Sequence, residues 1–267
     1  MKGTGERIVE WGAGALTFIV LAILYAPVLL SAIFSVVEIR NGEIVWESFT
    51  LSRYVTLWDN PSVVASLINT FIVAGIAVFA AIVLAILLAL YVEWKEAIGR
   101  RLLEIVIYLP FLLPPIVTGL SLLVASAELG ISRGLETVII GHTVFVLAVA
   151  YRLVLTRLQA LPASLVEASS DLGATRYQTL RYVLLPHLAS AIVTGAVLAL
   201  TLSFDETLIT VFLAGDTTTL PLRLWAMMRV GFTPEINALV TIVLLASIAL
   251  AVAVAWRMRP QGQIGEE

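Results

Sequence analysis

Six runs of this chain contain no Asp, Glu, Lys or Arg: residues 11–37, 60–92, 105–127, 137–151, 182–204 and 236–256. Crossing a bilayer's hydrocarbon takes about 20 apolar residues, so five of the six qualify outright. The fourth is shorter. Its helix is expected to continue past Arg152, whose long side chain reaches the interface while its stem stays in the apolar layer. Of 267 residues 60% are hydrophobic and only 13% charged, more apolar surface than a soluble domain of this length needs. The sequence predicts an all-α, polytopic membrane protein with six transmembrane helices, the lipid bilayer being its first partner.

Net charge and cysteine content narrow the class further. At −3, with no basic face left once membrane-flanking charges are assigned, the chain is not expected to bind nucleic acid. The absence of cysteine removes disulfides, thiolate chemistry and cysteine-metal sites.

Orientation follows from the basic residues in the short flanks. Eleven, including Lys2, Arg7, Lys95, Arg100, Arg101, Arg152, Arg157, Arg176 and Arg259, fall on one side of the six-span frame, against five on the other. This places both termini and the loop at 162–186 in the cytoplasm. Trp11, Trp94 and Trp256 then lie near the inner interface, and Trp46, Trp58 and Trp225 near the outer one. The first run is too long for a signal-peptide core of about 7 to 15 residues and reads as an uncleaved span. Between the first two spans, Asn41-Gly42 marks a turn, and Trp46, Phe49, Tyr54 and Trp58 suggest a short segment lying along the outer interface. The expected organisation is 1–64 as a first helix with this interfacial segment, 65–256 as a five-helix transmembrane domain, and 257–267 as a cytoplasmic tail.

Residues 167–186, EASSDLGATRYQTLRYVLLP, form a short amphipathic interruption among the apolar runs. Pro162 suits a first helical turn, and Gly173 the left-handed residue just past a helix end. Thr175 to Gln178 reads T-x-x-Q, a capping box for a second short helix that Pro186 is expected to stop. Leu165, Val166, Ala168 and Leu172 supply an apolar stripe suited to a partner's groove.

Glu167-Ala168-Ser169, three residues, Gly173, nine residues, then Val183-Leu184-Leu185-Pro186 resembles the EAA-x3-G-x9-I-x-LP signature of permease subunits in binding-protein-dependent (type I) ABC importers. Serine and valine replace the third alanine and the isoleucine. The resemblance implies that Leu165, Glu167, Ala168, Ser169, Asp171, Gly173, Leu185 and Pro186 couple to a cytoplasmic ABC ATPase dimer. It also implies a second permease subunit, either a paralogue or an identical copy, and an extracytoplasmic solute-binding protein. No G-x-x-x-x-G-K-[ST] loop occurs, so this chain is expected to hold no cofactor, ATP and Mg being bound by the partner ATPase.

After the fifth run come Ser203, Asp205 and Glu206, then an uncharged 207–215 segment too short to span and therefore re-entrant or interfacial. Two adjacent carboxylates at this place suit a polar pathway favouring a cation. Equally, Asp205 suits the N-cap of a helix beginning at Glu206. The tail from Ser203 onward resembles spermidine/putrescine-type permeases, through Asp205-Glu206, Leu220-Pro221, and Gly231, Pro234, Asn237 and Ala238. This implies a small cationic cargo such as spermidine or putrescine, with Ser203, Asp205, Glu206 and Pro114 on its path. One departure bears on cargo. Such permeases usually carry an aspartate just after a third-helix proline, whereas here Pro115 follows Pro114. Amino-acid derivatives, thiamine-like cations, iron and oxyanions are the alternative cargoes.

Pro110, Pro114 and Pro115 mark the third run as a bent pore wall or as a kink serving packing alone. His142 and His187 form no H-E-x-x-H pair and are expected to pack or bond a carbonyl. Ser121, Ser126 and Ser203 lack a G-x-S-x-G setting, so no catalytic residue is expected. A secondary transporter, the competing class, commonly shows midplane charges and matched broken helices, and neither is visible.

Overall fold

The computed structural model describes residues 4–40, 43–93, 97–230 and 234–257. Lys2, the Asn41-Gly42 turn, Trp94, Lys95, Gly231, Arg259 and the tail past Arg257 lie outside the described residues. The chain divides into two compact units, Met1–Pro61 with Ala226–Glu267 and Ser62–Trp225.

In the first unit, α1 (Thr4–Phe34) packs on the last helix, α11 (Pro234–Arg257), which also packs on α2 (Ser52–Trp58). Between α1 and α2, the strands β1 (Glu38–Arg40) and β2 (Glu43–Val45) pair antiparallel, with Ile39 opposite Ile44. A helix end leaves its last carbonyls without intrahelical donors. Arg53 meets that need: its Nη1 donates to Phe34 O at 2.8 Å and to Val37 O at 3.0 Å. Ser35 Oγ and Tyr54 Oη, 2.6 Å apart, close the same joint. Trp46, Phe49 and Trp58, all in the segment expected at the interface, are exposed.

The second unit is built on α6 (Leu135–Gln159), with α9 (Leu185–Asp205) laid along it. Tyr151, Val138, Val146 and Val154 on α6 are buried, as is Leu188 on α9. α3 (Pro61–Glu93) buries Ala77, Ala81, Ala85 and Ala89, a four-residue repeat of small side chains of the kind that lets helices approach closely in lipid. Its Phe71 stacks edge-on against Phe204 of α9, with ring centres 5.3 Å apart.

The prolines of the third run break it into two helices. A residue before proline is pushed to extended backbone, and here two such residues follow one another. Leu113 precedes Pro114 and has ψ 147°; Pro114 precedes Pro115 and has ψ 134°. The run therefore splits into α4 (Arg100–Leu112) and α5 (Pro115–Glu128), bent by 113°. Pro114 has no N–H to offer Pro110 O, and Thr118 Oγ1 donates to that oxygen instead, at 3.1 Å. The bend expected from these prolines is present, as a full break of the helix.

Among the described residues, four helical segments are long and apolar enough to cross a membrane: Trp11–Phe34, Pro61–Glu93, Leu135–Gln159 and Arg176–Asp205. The bent pair adds a fifth if counted as one span, and Glu235–Ala246 is a shorter apolar stretch. The fourth run does continue past Arg152, to Gln159.

Candidate functional site

Two places gather the polar residues singled out in the sequence. The first is the elbow between α6 and α9. Helix α7 (Ser164–Asp171) ends where Gly173 takes φ 79°, with Ala174 N donating to Ser169 O at 3.0 Å and Gly173 N to Ser170 O at 2.9 Å. This paired closure needs a left-handed residue, which glycine supplies without a Cβ clash. Thr175 and Gln178 then cap each other reciprocally: Thr175 N donates to Gln178 Oε1 at 2.7 Å, and Gln178 N to Thr175 Oγ1 at 3.3 Å.

Pro186 does not stop the helix so begun. The one-turn α8 (Arg176–Gln178) passes into a wide π-turn at Thr179–Leu184, where Leu185 N reaches back to Leu180 O, and then into α9. The wider turn changes the bonding register just before the proline. Pro186 then falls in the first turn of α9, where a missing N–H costs little. Arg157 Nε on α6 donates to His187 O at 3.1 Å, tying the elbow to the bundle.

Of the expected coupling residues, Glu167, Ala168, Asp171, Gly173 and Pro186 are exposed, and Leu165 and Leu185 are half-buried. Within the apolar stripe Leu172 stands out at 89% exposure. Ser169 turns inward instead. Its hydroxyl lies 2.9 Å from that of Thr179, and both are buried.

The second place is the corner after α9. Asp205 is the last residue of α9, and Glu206 leads into the six-residue α10 (Leu208–Leu213). The capping role expected of Asp205 belongs to Glu206, whose Oε1 accepts from Ile209 N at 2.9 Å. Glu206 is buried, whereas Asp205 is exposed. The 207–215 segment lies inside this unit, with α10 packed on both α5 and α6. Close approach depends on two glycines. A Cβ on Gly119 would meet Ile209 Cα at 3.0 Å, and one on Gly141 would meet Leu213 Cδ1 at 2.6 Å.

Ser203 is buried and bonded to His142 Nδ1 at 2.8 Å, and His142 Nε2 lies 2.8 Å from Thr210 Oγ1. Pro114 is exposed at the head of α5, away from this hydrogen-bonded group in sequence and held by the α4–α5 break. Sequence reasoning missed His142 and Thr210 as partners. Their signal was their setting: polar side chains inside apolar runs must find hydrogen bonds when buried.

Residues 81–259 match the family of binding-protein-dependent transport system inner membrane components. The chain belongs to that family. It is the permease subunit of an ABC importer, a multi-pass component of the inner membrane. The spermidine/putrescine transport system permease protein PotC of Haemophilus influenzae is 30% identical over 239 residues, 89% of this chain and 93% of its own. The putrescine transport system permease protein PotI of Escherichia coli is 31% identical over 250 residues, covering 90% and 88%. The permease fold is shared with a bacterial ABC transporter involved in the import of the acidic polysaccharide alginate. That match has a TM-score of 0.75 over 97% of this chain and 99% of the other, at 16% identity. An acidic polysaccharide importer on the same scaffold means that the fold alone does not choose a cargo.

Proposed function

We propose that this permease forms half of a translocation path for a small organic polycation of the spermidine/putrescine type. The observation that carries the cargo is the corner after α9, where Asp205 presents an exposed carboxylate at the end of a long apolar helix. A carboxylate there is placed to attract an ammonium group entering a polar path between apolar helices. Polyamine permeases at about 30% identity over nearly nine-tenths of the chain support the same cargo.

In this account the bundle has six spans with both termini cytoplasmic. The elbow at 162–186 then faces the cytoplasm, where Glu167, Ala168, Asp171 and Gly173 meet one subunit of an ABC ATPase dimer. ATP and Mg bind in that dimer, and a second permease chain completes the path. A solute-binding protein delivers cargo from the outer side. Closure of the ATPases moves the elbows, and the bundle alternates between inward-open and outward-open states. The motor drives this change only if it binds the elbow differently in the two states.

The test is uptake by proteoliposomes holding the full complex, with the binding protein supplied outside. ATP-dependent accumulation of spermidine or putrescine, competed by the other and lowered by Asp205→Asn, is the expected result. Accumulation of sulfate or of a neutral amino acid instead, with no polyamine uptake, would assign a different cargo. Uptake driven by an ion gradient without the ATPase would remove the coupling role of the elbow.

A further inference from the structure

His142 sits within α6, 2% exposed, with both ring nitrogens in hydrogen bonds. Its two partners flank the acidic corner. Ser203 lies two residues before Asp205, and Thr210 four residues after Glu206. One ring therefore bonds both arms of the bend that carries the adjacent carboxylates.

The direction of these bonds follows from counting protons. Thr210 Oγ1 also lies 2.9 Å from Glu206 O, a carbonyl oxygen that only accepts. A threonine hydroxyl has one proton, so with that proton given to Glu206 O it can only accept from the ring. Nε2 must then carry the N–H. With a single N–H on the ring, Nδ1 is bare and accepts the proton of Ser203. The bonds run one way, from Ser203 to His142 to Thr210 to the Glu206 carbonyl.

We propose that His142, held as the Nε2–H tautomer, is a positioning residue for the cargo-facing corner: it fixes α10 against the end of α9 so that Glu206 turns inward and Asp205 outward. The packing beside the ring supports this. Gly141, the preceding residue, would bring a Cβ within 2.8 Å of Ile209 Cγ2, so α10 is seated on α6 at the place where the ring bridges the two arms. Ile209 is also the residue whose amide receives the Glu206 carboxylate. The proposal rests on the reading that Asp205 meets cargo, and it names what holds Asp205 in place.

The experiment uses the assembled transporter in lipid nanodiscs and proteoliposomes, with spermidine as the probe. His142→Leu removes the acceptor and the donor, whereas His142→Gln keeps one of each. Loss of both hydrogen bonds predicts that His142→Leu raises the KM for spermidine on the order of tenfold or more. The maximal rate changes less, and His142→Gln recovers most of the KM. Ser203→Ala gives a smaller rise and guards against a Leu variant that does not assemble. Nitrogen NMR of labelled histidine, assigned by the signals that His142→Gln removes, is expected to show Nε2 protonated and Nδ1 bare. In Ser203→Ala only the Nδ1 signal should move. A protonated Nδ1 overturns the relay. An unchanged KM in His142→Leu or Ser203→Ala, in a preparation where Asp205→Asn raises it, overturns the positioning role alone. An unchanged KM in Asp205→Asn removes the pathway reading and the positioning role with it, while the tautomer is still decided by NMR.

Discussion

Ser169 and Thr179 sit on opposite sides of the elbow's turn, and their hydroxyl oxygens are 2.9 Å apart in a buried contact. Ser169 also bonds Val166 O at 2.8 Å, so one hydroxyl joins α7 to the π-turn that leads into α9. On the proposed docking of the ATPase at α7, its push would act through this clasp. Ser169→Ala is expected to weaken the elbow by about 1 kcal/mol and to lower the spermidine transported per ATP hydrolysed, with ATPase activity retained. Thr179→Val should act alike, and the double variant should be less than additive because both remove the same bond. Full additivity of the two would show that the hydroxyls act independently.

Gly173 has φ 79°, and a Cβ built on it meets nothing within 4 Å. Substitution there is opposed by backbone conformation rather than by crowding. Gly173→Val is expected to cost about 1 to 2 kcal/mol or more and to uncouple hydrolysis from uptake, whereas Gly173→Asn, which tolerates this conformation, costs less. Comparable loss of coupling in both variants would point to a contact with the motor instead.

Gly119 and Gly141 both seat α10, but they face different atoms. A Cβ on Gly119 meets Phe212 Cδ2 and also backbone, at Ile209 Cα and Leu208 O, while one on Gly141 meets side-chain atoms only, Leu213 Cδ1 and Ile209 Cγ2 nearest. Side chains can move more readily than backbone. Gly119→Ala should therefore lower thermal stability in lipid more than Gly141→Ala, each within the roughly 1 to 3 kcal/mol typical of overpacking. Unfolding followed by fluorescence in nanodiscs gives the order, and the reverse order would contradict this account of the seat.

Arg53 is 7% exposed and closes the end of α1 through two carbonyls, with Glu38 Oε1 3.8 Å from its Nη2. Arg53→Met keeps much of the stem but strands Phe34 O and Val37 O, each an unmet acceptor costing about 1 to 3 kcal/mol when buried. The expected outcome is earlier proteolysis between α1 and α2, with the midpoint of the second unit unchanged. Unaltered proteolysis would mean that water satisfies these carbonyls.

How much of this was legible in the sequence depends on how far each determinant reaches along the chain. The apolar runs required helices because lipid offers no partner to a bare peptide group. Gly173 and the Thr175–Gln178 box announced their own turns, since the atoms that bond there lie within five residues of each other. The same local logic failed at Pro186. A proline predicts a stop only if the helix before it keeps ordinary bonding, and the π-turn changed that bonding. The double proline at 114 and 115 marked a bend, but its 113° angle belongs to the packing of α5 on α10 and of α4 on α6.

The acidic corner shows the division most clearly. Sequence supplied two adjacent carboxylates at the end of an apolar helix, and nothing local distinguishes Asp205 from Glu206 as cap or as cargo contact. Tertiary structure buries Glu206 and leaves Asp205 exposed, at a bend where His142 meets Ser203, 61 residues away, and Thr210, 68 residues away. Periodicity and capping act over a few residues and can be read from them. A buried hydrogen-bond chain depends on which helices meet, and only the assembled bundle settles that.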